Sequence, residues 1–127
     1  MEAATLMTQQ PVTVDEEMPI DMAWKLMKQL DVRHLPVVDN GKLVGIVSDR
    51  QLLTRANRAL DGHLEFPDLC IAEVMTFHPA SCSPRTPARH IAAEMLHRQI
   101  DAMPVVEDEH LVGLITMTDL VALLARD

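Results

Sequence analysis

Apolar residues along this chain alternate between two spacings. Ile20, Ala23, Met27 and Leu30 recur at helical intervals, as do Ile91, Met95 and Leu96 further on. Each helical stretch is followed by short apolar runs of strand length. Leu35-Pro36-Val37-Val38 and Leu43-Val44-Gly45-Ile46-Val47 follow the first, and Met103-Pro104-Val105-Val106 and Leu111-Val112-Gly113-Leu114-Ile115 the second. Asn40-Gly41 between the first two runs is a strong hairpin signal, because both central residues of a tight hairpin turn need positive φ. Asp108-Glu109 stands at the corresponding place in the second half, with weaker chemistry for the same turn. Pro19 and Pro87 are expected at the first helical position, where the missing N–H costs nothing, with Thr86 as an N-cap. Short extended pieces precede the helices, Pro11-Val12-Thr13-Val14 and Pro79-Ala80-Ser81-Cys82. A last helix is expected after Ser48 and again after Thr116, carrying Leu52-Leu53 and Leu120-Val121.

The two halves are copies. An offset of 68 positions aligns residues 6–53 with 74–121 without a gap. Met7-Thr8 falls on Met75-Thr76, Pro11 on Pro79, Pro19 on Pro87, Met27 on Met95, and Leu43-Val44-Gly45 on Leu111-Val112-Gly113. Prolines, glycines and apolar clusters in one constant register mark an internal duplication. The unit reads β-α-β-β-α. A copy of this size is marginal alone and has an apolar sheet face to cover. The expected fold is therefore α/β (α+β), with two repeats related by a pseudo-twofold axis and packed sheet to sheet. The expected division is repeat 1 over 1–60, a linker over 61–73 and repeat 2 over 74–127. Within the bridging residues, Asp61-Gly62-His63 reads as a loop and 68–75 as a short helical lead-in.

These residues resemble a known family. Met-Thr-x-x-Pro, a helix, then Leu35-Pro-Val-Val-Asp-Asn-Gly-Lys-Leu-Val-Gly-Ile-Val-Ser-Asp-Arg50 is the pattern of the cystathionine-β-synthase (CBS) domain. Met103-Pro-Val-Val-Glu and Leu111-Val-Gly-Leu-Ile-Thr-Met-Thr-Asp-Leu120 repeat it, so the chain resembles a tandem pair, or Bateman module. The resemblance implies a non-catalytic regulatory module, a homodimer of pairs, and ligands such as AMP, ADP, ATP or S-adenosylmethionine in clefts between repeats. It also implies a ribose contact by a Ser/Thr-x-x-Asp element entering the last helix, with partner segments from the opposite copy. Thr116-Met117-Thr118-Asp119 is a complete element. On this basis its cleft is expected to use Thr116, Thr118 and Asp119 for ribose, Val12 and Val32 around adenine, and Arg33 or His34 toward phosphate. Arginine suits that role because its planar fork makes paired, charge-assisted bonds to phosphate oxygens. The second cleft is expected at Ser48, Arg50 and Gln51 with Ala80, Ile100, Asp101 and Ala102. There glutamine replaces the ribose carboxylate, and Asp101 repels phosphate. One competent site and one weak or empty site are expected. The same Ser/Thr-x-x-Asp/Gln spacing is also a capping box, a device for helix stability alone. Both readings stand on sequence.

Composition excludes more than it selects. The 127 residues are 48% apolar and 24% charged, an ordinary globular balance. No apolar run approaches the roughly 18 residues of a membrane span, and Met1–Leu6 lacks a secretory pattern, so a cytoplasmic chain without membrane contact is expected. A net charge of −8 disfavours nucleic acid while leaving room for one small nucleotide. Cys70 and Cys82 have no disulfide or metal spacing. Of the six histidines, His90 and His97 share a helix seven residues apart, too far to hold one ion, and His63, His78 and His110 fall in expected loops or turns. No metal, catalytic cofactor, nucleophile or general base is expected. Two functions follow: a sensor of an adenosine-containing small molecule, acting on an effector protein, or a ligand-free dimer serving as an interaction scaffold.

Overall fold

The computed structural model describes residues 1–126. In chain order the elements are α1 (Ala3–Leu6), β1 (Thr8–Gln9), α2 (Ile20–Leu30), β2 (His34–Asp39), β3 (Lys42–Ser48), α3 (Asp49–Leu53), β4 (Asn57–Arg58), β5 (Leu64–Glu65), a 3-10 turn (Ile71–Glu73), β6 (Thr76–Phe77), α4 (Ala88–Arg98), β7 (Ala102–Glu107), β8 (His110–Thr116) and α5 (Met117–Ala125). The chain forms two compact units that cross the sequence halves. The first-copy unit holds Val12–Asn40 and Val44–His78. The second-copy unit holds Met1–Pro11, Gly41–Leu43 and the chain from Pro79 onward.

In the first-copy unit, α2 buries Ile20, Ala23 and Met27. They meet Leu35 and Val37 of β2, Val47 of β3 and Leu52 of α3. Val14 joins in parallel beside Val37, its N–H donating to the Pro36 carbonyl at 3.0 Å. The core is closed by residues that precede the second copy. Ile71 N–H donates to Met18 O at 2.9 Å, Ile20 N–H to Leu69 O at 3.0 Å, and the Ile71 side chain is fully buried. Beyond it, β6 pairs antiparallel with β3, Gly45 opposite Phe77.

The second-copy unit repeats the scheme at the 68-residue offset. Ile91 and Met95 of α4 pack on Met103, Val105 and Ile115 of the β7–β8 hairpin. Cys82 takes the place of Val14, its N–H donating to Pro104 O at 3.0 Å. Here the chain's own start closes the core. Ala3 is fully buried, its N–H donating to Thr86 O at 2.9 Å, while Ala88 N–H donates to Met1 O at 2.7 Å. β1 then pairs with β8, Thr8 opposite Leu114.

Both expected hairpin turns form with the same backbone. Asn40 and Gly41 have φ of 52° and 80°, Asp108 and Glu109 of 51° and 69°. Asp108-Glu109 thus holds a geometry that glycine would adopt without the steric cost of a Cβ. Several expectations are corrected. Pro19 and Pro87 sit one position earlier than read, as extended N-cap residues with φ of −60° and −64°. Thr86 is therefore not the N-cap; its hydroxyl turns back to accept from Ser83 N–H at 3.0 Å. Leu30 and Leu96, which share the helical spacing of their buried neighbours, are exposed, Leu96 to 75%. His110 opens β8 rather than a loop. The bridging residues contain a small hairpin, β4–β5, around the Asp61-Gly62-His63 turn.

Gly45 and Gly113 occupy equivalent places, yet their surroundings differ. A Cβ on Gly45 would lie 2.9 Å from the Thr76 carbonyl oxygen and 2.5 Å from the Met75 sulfur. The three atoms nearest a Cβ on Gly113 all belong to the Met7 side chain, its sulfur closest at 2.3 Å. A thioether can swing aside; a paired strand backbone cannot. Gly45→Ala should therefore destabilise by about 1–3 kcal/mol in urea unfolding, as overpacking does, and Gly113→Ala by clearly less. Equal losses would show that Met7 is as fixed as the β6 backbone.

Candidate functional site

The start of α5 carries the densest set of expected site residues. Thr116, extended at φ −113°, is its N-cap. The Asp119 carboxylate accepts from Thr116 N–H at 2.8 Å and from the Thr116 hydroxyl at 3.3 Å. The capping reading is thus realised in the structure. Both bonds fall on Oδ2. Oδ1 takes no hydrogen bond among the described residues, and Asp119 is half-buried rather than covered. The acid also faces the positive end of the helix. Thr118 is exposed beside it. Asp101 and Ala102 lie at the same place: Met117 N–H donates to Asp101 O at 2.8 Å, and Ala102 is opposite Thr116 in the β7–β8 register. Ala80 and Ile100 pack half-buried on the same core.

The equivalent helix start in the first copy is built from the same frame with a different outcome. Ser48 caps α3, accepting from Gln51 N–H at 3.2 Å, while Gln51 Oε1 accepts from Ser48 N–H at 2.8 Å. The other end of the amide is committed as well. Gln51 Nε2 donates to the Thr76 hydroxyl at 2.9 Å, tying α3 to β6. Arg50 points outward, and Asp49 N–H donates to the Arg33 carbonyl at 2.9 Å. Arg33 is exposed and His34 half-buried; Val12 and Val32 are 49% and 38% exposed.

The residues expected to serve Asp119 therefore divide by unit, with Val12, Val32, Arg33 and His34 in the first-copy unit and Thr116, Thr118 and Asp119 in the second-copy unit. What each unit itself brings together is Arg33 with the start of α3, and Asp101 with the start of α5. Thr76 was missed from sequence. Its bond to Gln51 spans 25 positions, and Thr8, its counterpart in the duplication, has an aspartate rather than a glutamine at the matching place.

Among the described residues, no group of three or more His, Cys, Asp or Glu side chains has metal-holding geometry, and no helix is long and apolar enough to cross a membrane. Cys70 and Cys82 are free thiols. Burial pushes the Cys82 thiol from near 9 up to about 11, since a thiolate there loses its hydration.

Two copies of one β-α-β-β-α unit, each with a capped final helix and a core closed by the other copy's lead-in, define a tandem-repeat module rather than two independent domains. The CBS domain model matches residues 3–58 and 71–126, and the chain belongs to the CBS domain family. It is 33% identical over 115 residues to the CBS domain-containing protein YhcV of Bacillus subtilis, covering 90% of this chain and 79% of that protein. Two further relatives are much longer, and the chain spans 21% and 22% of their lengths. Among solved structures, it is similar to the CBS domain pair of MJ0100 in complex with 5′-methylthioadenosine and S-adenosyl-L-methionine. The TM-score is 0.86 at 28% identity, over 99% of this chain and 97% of that one. It is also similar to CBSX2 in complex with AMP, with a TM-score of 0.82 at 25% identity, over 98% and 96%.

Gln51→Ala should lose the cap and the tie to Thr76, lowering stability by about 1–2 kcal/mol in urea titration. Thr76→Val should lose the tie alone, at roughly 0.5–1.5 kcal/mol. An unchanged midpoint in both would show that the amide has no structural role. The raised thiol gives a pH signature of known sign. The folded state holds the Cys82 proton where the unfolded chain releases it, so stability should fall as pH rises from about 9 toward about 11. Cys82→Ala should flatten that slope in unfolding curves measured between pH 8 and 10.5.

Proposed function

We propose that this chain is a non-catalytic regulatory module that binds an adenosine-containing ligand, with its competent site at Asp119 and a weak or empty one at Gln51. The ligands in view are AMP, ADP, ATP and S-adenosylmethionine. The observation that carries this reading is the unequal commitment of two equivalent side chains. Asp119 caps α5 through one carboxylate oxygen and keeps the other for a ribose hydroxyl, whereas Gln51 uses both ends of its amide inside the fold. A carboxylate acceptor at a helix start, with backbone N–H groups beside it, suits a ribose next to an anionic or polar 5′ group. Val12 and Val32 are the exposed apolar surfaces proposed for adenine, and Arg33 and His34 the groups proposed for phosphate. The complexes of MJ0100 and CBSX2 support the ligand class. The module is proposed to act as a homodimer on an effector protein.

A second reading, a ligand-free CBS dimer serving as an interaction scaffold, draws on the Gln51 tie, which removes one of the two candidate ribose contacts. The two separate cleanly. Thermal melts against AMP, ADP, ATP, S-adenosylmethionine and NAD should show one ligand that stabilises by roughly 2.7 kcal/mol at 100 times its dissociation constant. Calorimetry should then give one strong site per chain, weakened by roughly 1.5–3 kcal/mol in Asp119→Ala and little changed in Gln51→Ala. Flat melts with a folded dimer would favour the scaffold. Two equal sites would overturn the asymmetry.

A further inference from the structure

We propose that the β4–β5 hairpin is a pH-sensitive clasp, fastened while His63 is protonated between Asp61 and Glu65 and loosened when the ring is neutral. The hairpin stands apart from the repeats. Its turn and β5 fall between residues 3–58 and 71–126, the two stretches that match the CBS domain, and outside the stretch that the duplication aligns.

The imidazole is held at both ends. His63 Nδ1 bonds to Asp61 Oδ1, and Nε2 lies 3.2 Å from Glu65 Oε1. An ionised carboxylate can only accept a hydrogen bond, and a neutral imidazole carries a single N–H. Whichever tautomer the neutral ring takes, its lone pair faces a carboxylate oxygen. Only the imidazolium donates on both sides. The two nitrogens point away from each other, so one metal ion could not gather all three side chains, and no metal-holding group occurs among the described residues.

So small a change matters because the hairpin has little else to hold it. β4 and β5 are two residues each and form a sheet of their own, and a lone two-stranded hairpin is marginal in water. Ala59 N–H donates to His63 O at 2.8 Å, and Arg58 Nη1 donates to Gly62 O at 2.7 Å. All three side chains of the clasp are more than half exposed, so their bonds are weak and salt-sensitive. An exposed charged pair changes an open-to-closed ratio by roughly two- to fivefold, which is decisive where that ratio is near one.

The clasp is coupled to α2. β5 runs directly into Phe66, whose ring packs on Trp24 with centroids 5.7 Å apart. Leu64, Glu65 and Phe66 form one wall of a groove of about 450 Å³, and Asp21, Trp24 and Lys25 of α2 form the other. Loosening β5 therefore withdraws Phe66 from the indole and opens that wall. The charged groups around the clasp are Asp61, Glu65 and Arg58 in the hairpin, with Asp21, Lys25 and Lys28 on α2, where Lys28 lies over the indole. As residue types these keep their charge between about pH 5 and 8, the range in which histidine changes its own. Closing is thus favoured at low pH and fades as pH rises, since the closed hairpin bonds the charged ring on both sides.

Trp24 is the only tryptophan, so the intrinsic fluorescence of the full chain reports this contact. Raising the pH from about 5.5 to about 8 at low salt should red-shift its emission and raise its quenching by acrylamide roughly twofold. His63→Gln should abolish the change. Glu65→Gln should reduce it, because a neutral amide can donate to the ring's lone pair. His78→Gln, at a position where the duplication already has Gln10, should leave it intact. Should His63→Gln fail to fold by circular dichroism, Glu65→Gln decides alone. A pH-independent signal in the wild type would overturn the clasp. A full response in His63→Gln or Glu65→Gln would overturn it too, by assigning the change to another group.

Discussion

Neither copy of the repeat can close its own core, and the rest of the structure depends on how that is resolved. The β-α-β-β-α unit leaves one end of its helix–sheet interface open, and the segment that fills it comes from the lead-in to the other copy. Ile71 and Ala3 occupy equivalent positions in the duplication and are both fully buried, each in the unit of the opposite copy. Burying an isoleucine side chain contributes roughly 1.5–3 kcal/mol, a large part of what a unit of this size has in total. The backbone bonds that flank Ile71 and Ala3, to Met18 and Thr86, anchor each lead-in just ahead of α2 or α4. Truncating either lead-in therefore removes core from the distant repeat rather than the adjacent one.

Within that shared frame the two copies have diverged at most aligned positions, yet the backbone around the final helices and hairpin turns is retained. Both final helices begin at an extended Ser/Thr cap after a strand of identical length, and both hairpins turn through the same positive-φ pair. What differs is whether the residue three beyond the cap spends its hydrogen bonds internally. Glutamine has a donor as well as an acceptor, so it can reach the Thr76 hydroxyl and fasten helix to strand. A carboxylate can only accept, so the same position in the second copy keeps an oxygen in reserve. A single difference in side chain thus decides whether the residue three beyond the cap ties its helix to a neighbouring strand or only caps it.

Much of this was legible in sequence because it is periodic or local. The constant offset, the 3.6-residue spacing of Ile20, Ala23 and Met27, and the Asn40-Gly41 turn each follow from short-range rules that the fold obeys. The misreadings fall where tertiary context overrides those rules. Leu30 and Leu96 share the helical spacing of their buried neighbours, yet both lie in the last turns of their helices and are exposed. Thr86 has N-cap chemistry, but the following proline already holds an extended backbone that ends the helix without it. The β4–β5 hairpin escaped notice because two-residue strands carry no measurable alternation, and the Gln51–Thr76 tie because no local rule links residues 25 apart. The site was legible as a motif, Thr116 to Asp119, but the motif alone left capping and ligand contact undivided. The bond geometry realises the capping through one carboxylate oxygen, and the ligand contact remains a proposal drawn from the other.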